Sequence, residues 1–271
     1  MTIQFYMEFV REALMAACDA VAESARRGTS GLALGRGSFG DTTYEVDRAV
    51  EDRILKMAAE KLPPATVISE ERGIEARRRA KITLLMDPVD GSTNAKRGVS
   101  VYSTSLAIAE GPLFSDIFVA GVVDHVRRRM VWGRRGAVYE DWTLARPSQS
   151  TELRDAVIAF DSKLHMVPEG RLSSVVSLMT ATRYPRILST AALETACVAA
   201  GRLDAFVAPY ASLRSFDCLP SIFLVREAGG SVDLEPSVLG SLPLDGSVRV
   251  NYVAAGNPGM LRAIGNKLGY R

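Results

Sequence analysis

Asp87-Pro88-Val89-Asp90-Gly91-Ser92-Thr93-Asn94 follows the run Lys81-Ile82-Thr83-Leu84-Leu85-Met86. That short apolar run predicts a buried strand ending at the proline, with the two acids at the strand end. Pro88 fixes its own φ and drives Asp87 toward extended backbone, so Asp87 and Asp90 can project from a turn toward one point. Two carboxylates about 4 Å apart repel by roughly 4 kcal/mol at an effective dielectric of 20, so that point calls for positive charge.

Gly91 permits a sharp bend or close backbone approach, and Ser92, Thr93 and Asn94 are residue types that cap helices and present hydroxyls and free N–H groups. An amide-lined helix start is an anion site. Carboxylates for a divalent ion beside amides for a phosphate point to metal-assisted phosphate chemistry, with magnesium the hard cation of choice. The competing reading is an ordinary turn closing a buried strand, a common use of Asp-Pro and Asp-Gly pairs.

The chain has 271 residues, 47% of them hydrophobic, which supports one large core or two halves sharing a cleft and argues against disorder. A net charge of +2 gives no case for a nucleic-acid or anionic-membrane partner, and the runs Arg77-Arg78-Arg79 and Arg127-Arg128-Arg129 read as solvated edges. Cys18, Cys197 and Cys218 are odd in number and lack C-x-x-C spacing, so neither a disulfide framework nor a zinc site is indicated, and a reducing cytoplasm fits. Glu8, Arg11, Glu12 and Asp19 interrupt the N-terminal apolar residues. No segment approaches the roughly 18 uninterrupted apolar residues of a membrane span, and no export signal is recognised.

Residues 4–27 read as an amphipathic helix stopped by Gly28, and the glycine-dense segment 28–40 as a mobile loop or loose hairpin. A second amphipathic helix opens within Asp41 to Asp47, and Thr66-Val67-Ile68 forms a short strand ahead of Ser69-Glu70-Glu71. Residues 101–109, 117–123 and 131–139 read as strands, as do 156–160 and 203–208, with a helix over 172–179. In Arg186-Ile187-Leu188-Ser189-Thr190-Ala191 a strand ends at a polar pair, and an alanine-rich helix from about 191 aims its N-terminal amides into a cleft. Ser212 to Asp217 leads into a helix reaching Glu227, with Pro220 accommodated by the free N–H positions of a first turn. His125 and His165 are isolated and read as structural or exposed.

Asp-Pro-x-Asp-Gly-Ser/Thr-x-Asn resembles the first signature of the inositol monophosphatase family, which includes archaeal-type fructose bisphosphatases. Further matches follow in the family's order over nearly the whole chain: Asp41-x-x-Tyr44-x-x-Asp47, Ser69-Glu70-Glu71, Ser189-Thr190-Ala191-Ala192 and Phe216-Asp217. The resemblance implies an α/β (α+β) fold, a layered αβαβα sugar-phosphatase sandwich forming one catalytic unit. Its active site lies between approximate halves 1–150 and 151–271. It implies two or three Mg2+ ions held by Glu70, Asp87, Asp90, Asp217 and the carbonyl of Val89, with paired ions about 3.5–4 Å apart. Glu70 and Ser92 then orient the attacking water, Asp47 accepts a hydrogen bond from Ser92, and amides of Gly91 and Ser92 hold phosphate. Ser189, Thr190, Ala191, Arg186 and Arg214 contact substrate.

Four departures accompany the match. Arg36 stands where many members carry a lysine in a mobile loop, Phe216 replaces the usual tryptophan, Cys218-Leu219-Pro220-Ser221 replaces small residues, and Tyr210 occupies the place of a glutamate in animal members. The Leu213-Arg214-x-x-Asp217 run resembles archaeal members, which often accept both inositol phosphates and fructose 1,6-bisphosphate. The implied function is magnesium-dependent hydrolysis of such small phosphate esters by a cytoplasmic homodimer. The alternatives are a 3'-phosphoadenosine 5'-phosphate nucleotidase and a catalytically silent metal or sugar-phosphate binding protein.

Overall fold

The computed structural model describes residues 1–234 and 236–269. The chain runs α1 (Ile3–Arg27), β1 (Ala33–Arg36), β2 (Thr42–Tyr44), α2 (Glu45–Lys61), β3 (Ala65–Ser69), β4 (Gly73–Glu75), β5 (Ile82–Asp90) and α3 (Ser92–Arg97). It continues through β6 (Ser103–Ala109), β7 (Ile117–Asp124), β8 (Arg129–Arg134), β9 (Ala137–Glu140), β10 (Thr143–Leu144), β11 (Val157–Phe160), α4 (Glu169–Ala181), β12 (Tyr184–Arg186) and α5 (Ala191–Ala199). The remainder is β13 (Ala205–Leu213), α6 (Ser215–Glu227), β14 (Ser231–Val232), α7 (Pro236–Gly240), β15 (Val250–Ala255) and α8 (Pro258–Leu268).

Two sheets organise these elements. The larger has the order β10-β9-β8-β7-β6-β5-β3-β4 and the smaller β12-β11-β13-β15-β14, while β1 and β2 form a separate hairpin. Side-chain alternation along the strands assigns the layers. On β5 and β6, Leu84, Met86, Leu106 and Ile108 pack with α1 and α2, whereas Leu85 and Ala107 face α5 and α6. On β13, Phe206 and Ala208 face α5 and α6 from the other side, while Ala205 and Val207 join the core under α4 and α8. The result is the expected αβαβα stack. Helix α6 lies between two sheets, which explains why it buries apolar residues around its whole circumference.

Three local expectations change. Strand β5 does not end at Pro88 but runs through it to Asp90, with a register break between Asp87 and Asp90. The second helix starts at Glu45 rather than near Asp41, because residues 42–44 pair with β1. Pro220 lies in the second turn of α6, not the first. It cannot give the usual amide bond to the carbonyl of Phe216. Ser105 Oγ on β6 donates to that carbonyl instead, at 3.1 Å, and ties the start of α6 to the large sheet.

Candidate active site

The register break in β5 builds the site. Asp87 pairs with Ser105 and Asp90 with Ser103, so three steps on β5 match two on β6. This is a β-bulge of one extra residue. In a regular strand residues 87 and 90 would face opposite sides. The bulge turns both carboxylates to the same face, and Pro88, without an N–H, is suited to the interrupted ladder. The Pro88 carbonyl accepts from Thr104 Oγ1 at 2.5 Å, and that hydroxyl also bonds His125 Nε2 at 2.9 Å. His125 is thus structural, with burial lowering its pKa to about 3.

A cavity of about 520 Å³ opens at this face, lined by Glu70, Asp87, Val89, Asp90 and Asp217 together with Gly91, Ser92, Ser189, Ala191 and Arg214. Three separate segments therefore deliver acids to one cleft: the end of β3, the bulge of β5, and the first turn of α6. Ser92 begins α3 directly after Gly91, whose left-handed backbone (φ 86°) serves as the cap without a side-chain hydrogen bond. The polar residues after Gly91 are inside the helix rather than capping it.

Burial and mutual repulsion raise the pKa values of these acids. Burial, then Asp217, Glu71, Asp47 and Asp41, raise Glu70; burial, then Glu70 and Asp90, raise Asp87. Asp90 is pushed up to about 7 by burial and Asp217, against the stabilising amides of Ala192 and Leu193 and the Ser103 hydroxyl. Burial also raises Asp217, while the Arg214 amide and the charges of Lys163, Arg214 and Arg249 pull it back. Asp87 Oδ1 is buried without a hydrogen-bond partner. Among the described residues no three acidic, histidine or cysteine side chains are already gathered into a coordination shell. Like-charge repulsion opposes such a gathering. Hard oxygen donors, an orphaned buried carboxylate oxygen and uncompensated negative charge nevertheless fit a hard divalent cation.

Several expected site residues are placed differently. Asp47 is buried behind the cleft, its pKa raised to about 8 by burial, then Glu71 and Glu51, against the opposing Tyr44 amide. Its Oδ2 caps α2 by accepting from the Tyr44 amide at 2.7 Å, and Oδ1 makes no hydrogen bond, so the contact with Ser92 is not formed. Arg186 lies on exposed strand β12, where it bonds the Pro185 carbonyl beside the Tyr184 ring, away from the cavity. That bond and the ring hold its side chain outside the lining of the cleft. Thr190 is buried beneath the surface and does not line the cavity. Arg36 is exposed in the hairpin.

The amides at the start of α5 also differ from expectation. The Ala192 N–H donates at 2.9 Å to Asp90 Oδ2, so a protein carboxylate takes it. Arg214 lines the cleft but bonds Asp41 Oδ2 at 2.9 Å and the Phe39 carbonyl at 2.8 Å, with its guanidinium 5.0 Å from the Phe39 ring centre. It latches the β1–β2 hairpin over α6. Phe216 keeps the aromatic support there, packing 5.1 Å from Phe39. Asp161, Ser162 and Lys163 line the cavity and escaped the sequence reading, although a polar triplet right after the buried strand 157–160 was their available signal.

A sequence profile described as the inositol monophosphatase family matches residues 3–262. The chain belongs to the inositol monophosphatase family. Members of this family are phosphatases of small sugar phosphates and are generally metal-dependent, which agrees with an acid-lined cleft. A fructose-1,6-bisphosphatase/inositol-1-monophosphatase of Methanothermobacter thermautotrophicus is 31% identical over 82% of this chain and 81% of its own length. A Nus factor SuhB of Salmonella typhimurium is 29% identical over 83% of this chain and 81% of its own. The crystal structure of the extragenic suppressor protein suhB from Bartonella henselae superposes with a TM-score of 0.81 at 25% identity, covering 97% of each chain. Among the described residues no helix is long and apolar enough to cross a membrane.

Proposed function

We propose that this member is a magnesium-dependent phosphomonoesterase acting on inositol 1-phosphate, fructose 1,6-bisphosphate or both. The observation that carries the reading is the same-face presentation of Asp87 and Asp90 by the β5 bulge, opposite Glu70 and Asp217. Two or three Mg2+ ions would be held by Glu70, Asp87, Asp90, Asp217 and the Val89 carbonyl. Bound there, they would neutralise phosphoryl oxygens and acidify water.

The remaining tasks fall to the chain. Glu70 orients the attacking water and accepts its proton, with the Ser92 hydroxyl as the second contact. Amides of Gly91 and Ser92 hold phosphate oxygens, so catalysis is positioning and charge stabilisation. Ser189 and Ala191 border the substrate. Lys163, at the same cleft and without an ion-pair partner among the described residues, is suited to a second phosphate such as fructose 1,6-bisphosphate carries. The free thiols Cys18, Cys197 and Cys218 fit a reducing, cytoplasmic setting, and a homodimer is the proposed assembly.

The test is phosphate release with and without magnesium from inositol 1-phosphate, fructose 1,6-bisphosphate and 3'-phosphoadenosine 5'-phosphate. Magnesium-dependent turnover of either sugar ester supports the proposal. Preference for the nucleotide selects the nucleotidase alternative, and magnesium binding by folded protein with no turnover selects the silent binding protein.

A further inference from the structure

Glu194 lies in the first turn of α5 and is 1% exposed, yet it touches neither the cavity nor any cation among the described residues. A carboxyl group so buried needs strong partners. Its partners are two backbone amides of the segment that leads into α5: Oε1 accepts from Leu188 at 3.2 Å and Oε2 from Thr190 at 3.1 Å. Between these amides sits Ser189, a non-glycine residue in the left-handed region with φ 62°. That conformation is disfavoured by about 1–2 kcal/mol and persists when its surroundings enforce it.

The same short segment is held from the opposite side. Asn94 Nδ2 donates to the Leu188 carbonyl at 2.7 Å and to the Val101 carbonyl at 2.8 Å, so Leu188 is fixed at both its N–H and its C=O. Ser189 itself lines the cleft beside Gly91. We propose that Glu194 is a positioning residue: it clamps the backbone N–H groups of Leu188 and Thr190, the residues on either side of Ser189, and thereby sets the shape of the substrate-facing wall. The amide given to Asp90 comes from Ala192, inside the helix, so the clamp acts on substrate rather than on the acid cluster.

The inference rests on the phosphatase reading for its kinetic consequence, but not for its structural one. Glu194→Gln keeps one acceptor and sets an amide N–H against a backbone donor, whereas Glu194→Ala removes both bonds. Amide hydrogen exchange of the metal-free variants should quicken about tenfold or more in segment 187–191, more for alanine than for glutamine, with the central strands unchanged. With whichever ester the parent hydrolyses, KM should rise about tenfold, kcat change less than about threefold, and half-activation by magnesium move less than about twofold. Unchanged exchange in the segment, exchange quickened equally throughout the fold, or lost kcat with unchanged KM overturns the assignment. If alanine does not fold, glutamine carries the test. If the parent turns over none of the esters, the phosphatase reading fails and the exchange pattern alone decides the role of Glu194.

Discussion

Replacing Ser105 by alanine removes the hydroxyl that donates to the Phe216 carbonyl, a bond needed because Pro220 has no N–H to offer it. Ser105 and Phe216 are both fully buried, so water cannot take over. Leaving such an acceptor unsatisfied costs about 1–3 kcal/mol. For a chain of this size that is a loss of roughly 2–12 °C in melting temperature, taking about 2–4 °C per kcal/mol. The informative step is to repeat the change in a Pro220→Ala background. Residue 220 then carries an amide that can reach Phe216 in the ordinary helical way, and Ser105→Ala should cost less than about 1 kcal/mol. Urea unfolding of the four proteins forms a double-mutant cycle with an expected coupling of about 1–2 kcal/mol. Equal cost of Ser105→Ala in both backgrounds would refute the argument that the hydroxyl substitutes for the missing helix donor.

Asp87→Asn or Asp90→Asn should lower magnesium-dependent turnover at least about a hundredfold while raising the melting temperature of the metal-free protein, because one of several repelling buried acids is neutralised; near-parental activity in either variant removes these residues from the site. Gly91→Ala should destabilise by about 2–5 kcal/mol, the sum of the left-handed backbone term and overpacking against the Thr190 methyl, since a Cβ at residue 91 would lie 2.6 Å from that methyl carbon; a Gly91→Ala, Thr190→Ser double variant should recover part of the loss, and no recovery in thermal melts would exclude the steric component. His125 is held neutral when folded and protonates near pH 6.5 when unfolded, so its contribution is complete above about pH 6.5 and is lost as pH falls toward 3, by about 1.4 kcal/mol per pH unit. The stability difference between parent and His125→Gln should shrink with that slope between pH 6 and about 4, and a flat difference would show that the ring is not buried neutral.

Asp87 and Asp90 were legible as a pair held by Pro88 and Gly91 at the end of an apolar run, Glu70 and Asp217 only through the family resemblance, and periodicity alone marked α1, β3 and the α6 segment. What local sequence could not supply was register. The β5 bulge exists only relative to β6, and the same dependence hid Ser105 as the partner of Phe216. Pro220 was misplaced by one helical turn because the helix start depends on the Arg214–Asp217 cap, whose bond from the Arg214 amide to Asp217 is 2.8 Å. Arg186 looked like a site residue through its neighbours in sequence, whereas its bond to the Pro185 carbonyl and the Tyr184 ring hold it outside the lining of the cleft. Lys163 and Asp161 come to the cleft through the parallel pairing of β11 and β13, a contact between residues far apart in sequence. The Asn257-Pro258 start of α8, with Asn257 accepting from the Met260 amide, was an available helix signal of the ordinary kind.

Parity along β5 limits what change this chain can absorb. Most proteins accept gains and losses of single residues at the surface, where a loop can take up the difference. Here the segment 87–90 uses an odd residue to convert a three-residue separation into a shared direction. Deleting Val89 would bring the strand back to regular alternation with the two acids still on one face and Asp90 still opposite Ser103, so its cost would be the loss of the Val89 carbonyl and of the local bend the extra residue gives the strand. A one-residue deletion within the regular stretch Ile82–Met86 would instead reverse every side chain ahead of the gap, exchanging those that face α1 and α2 with those that face α5 and α6, whereas substitutions at the same positions act one group at a time.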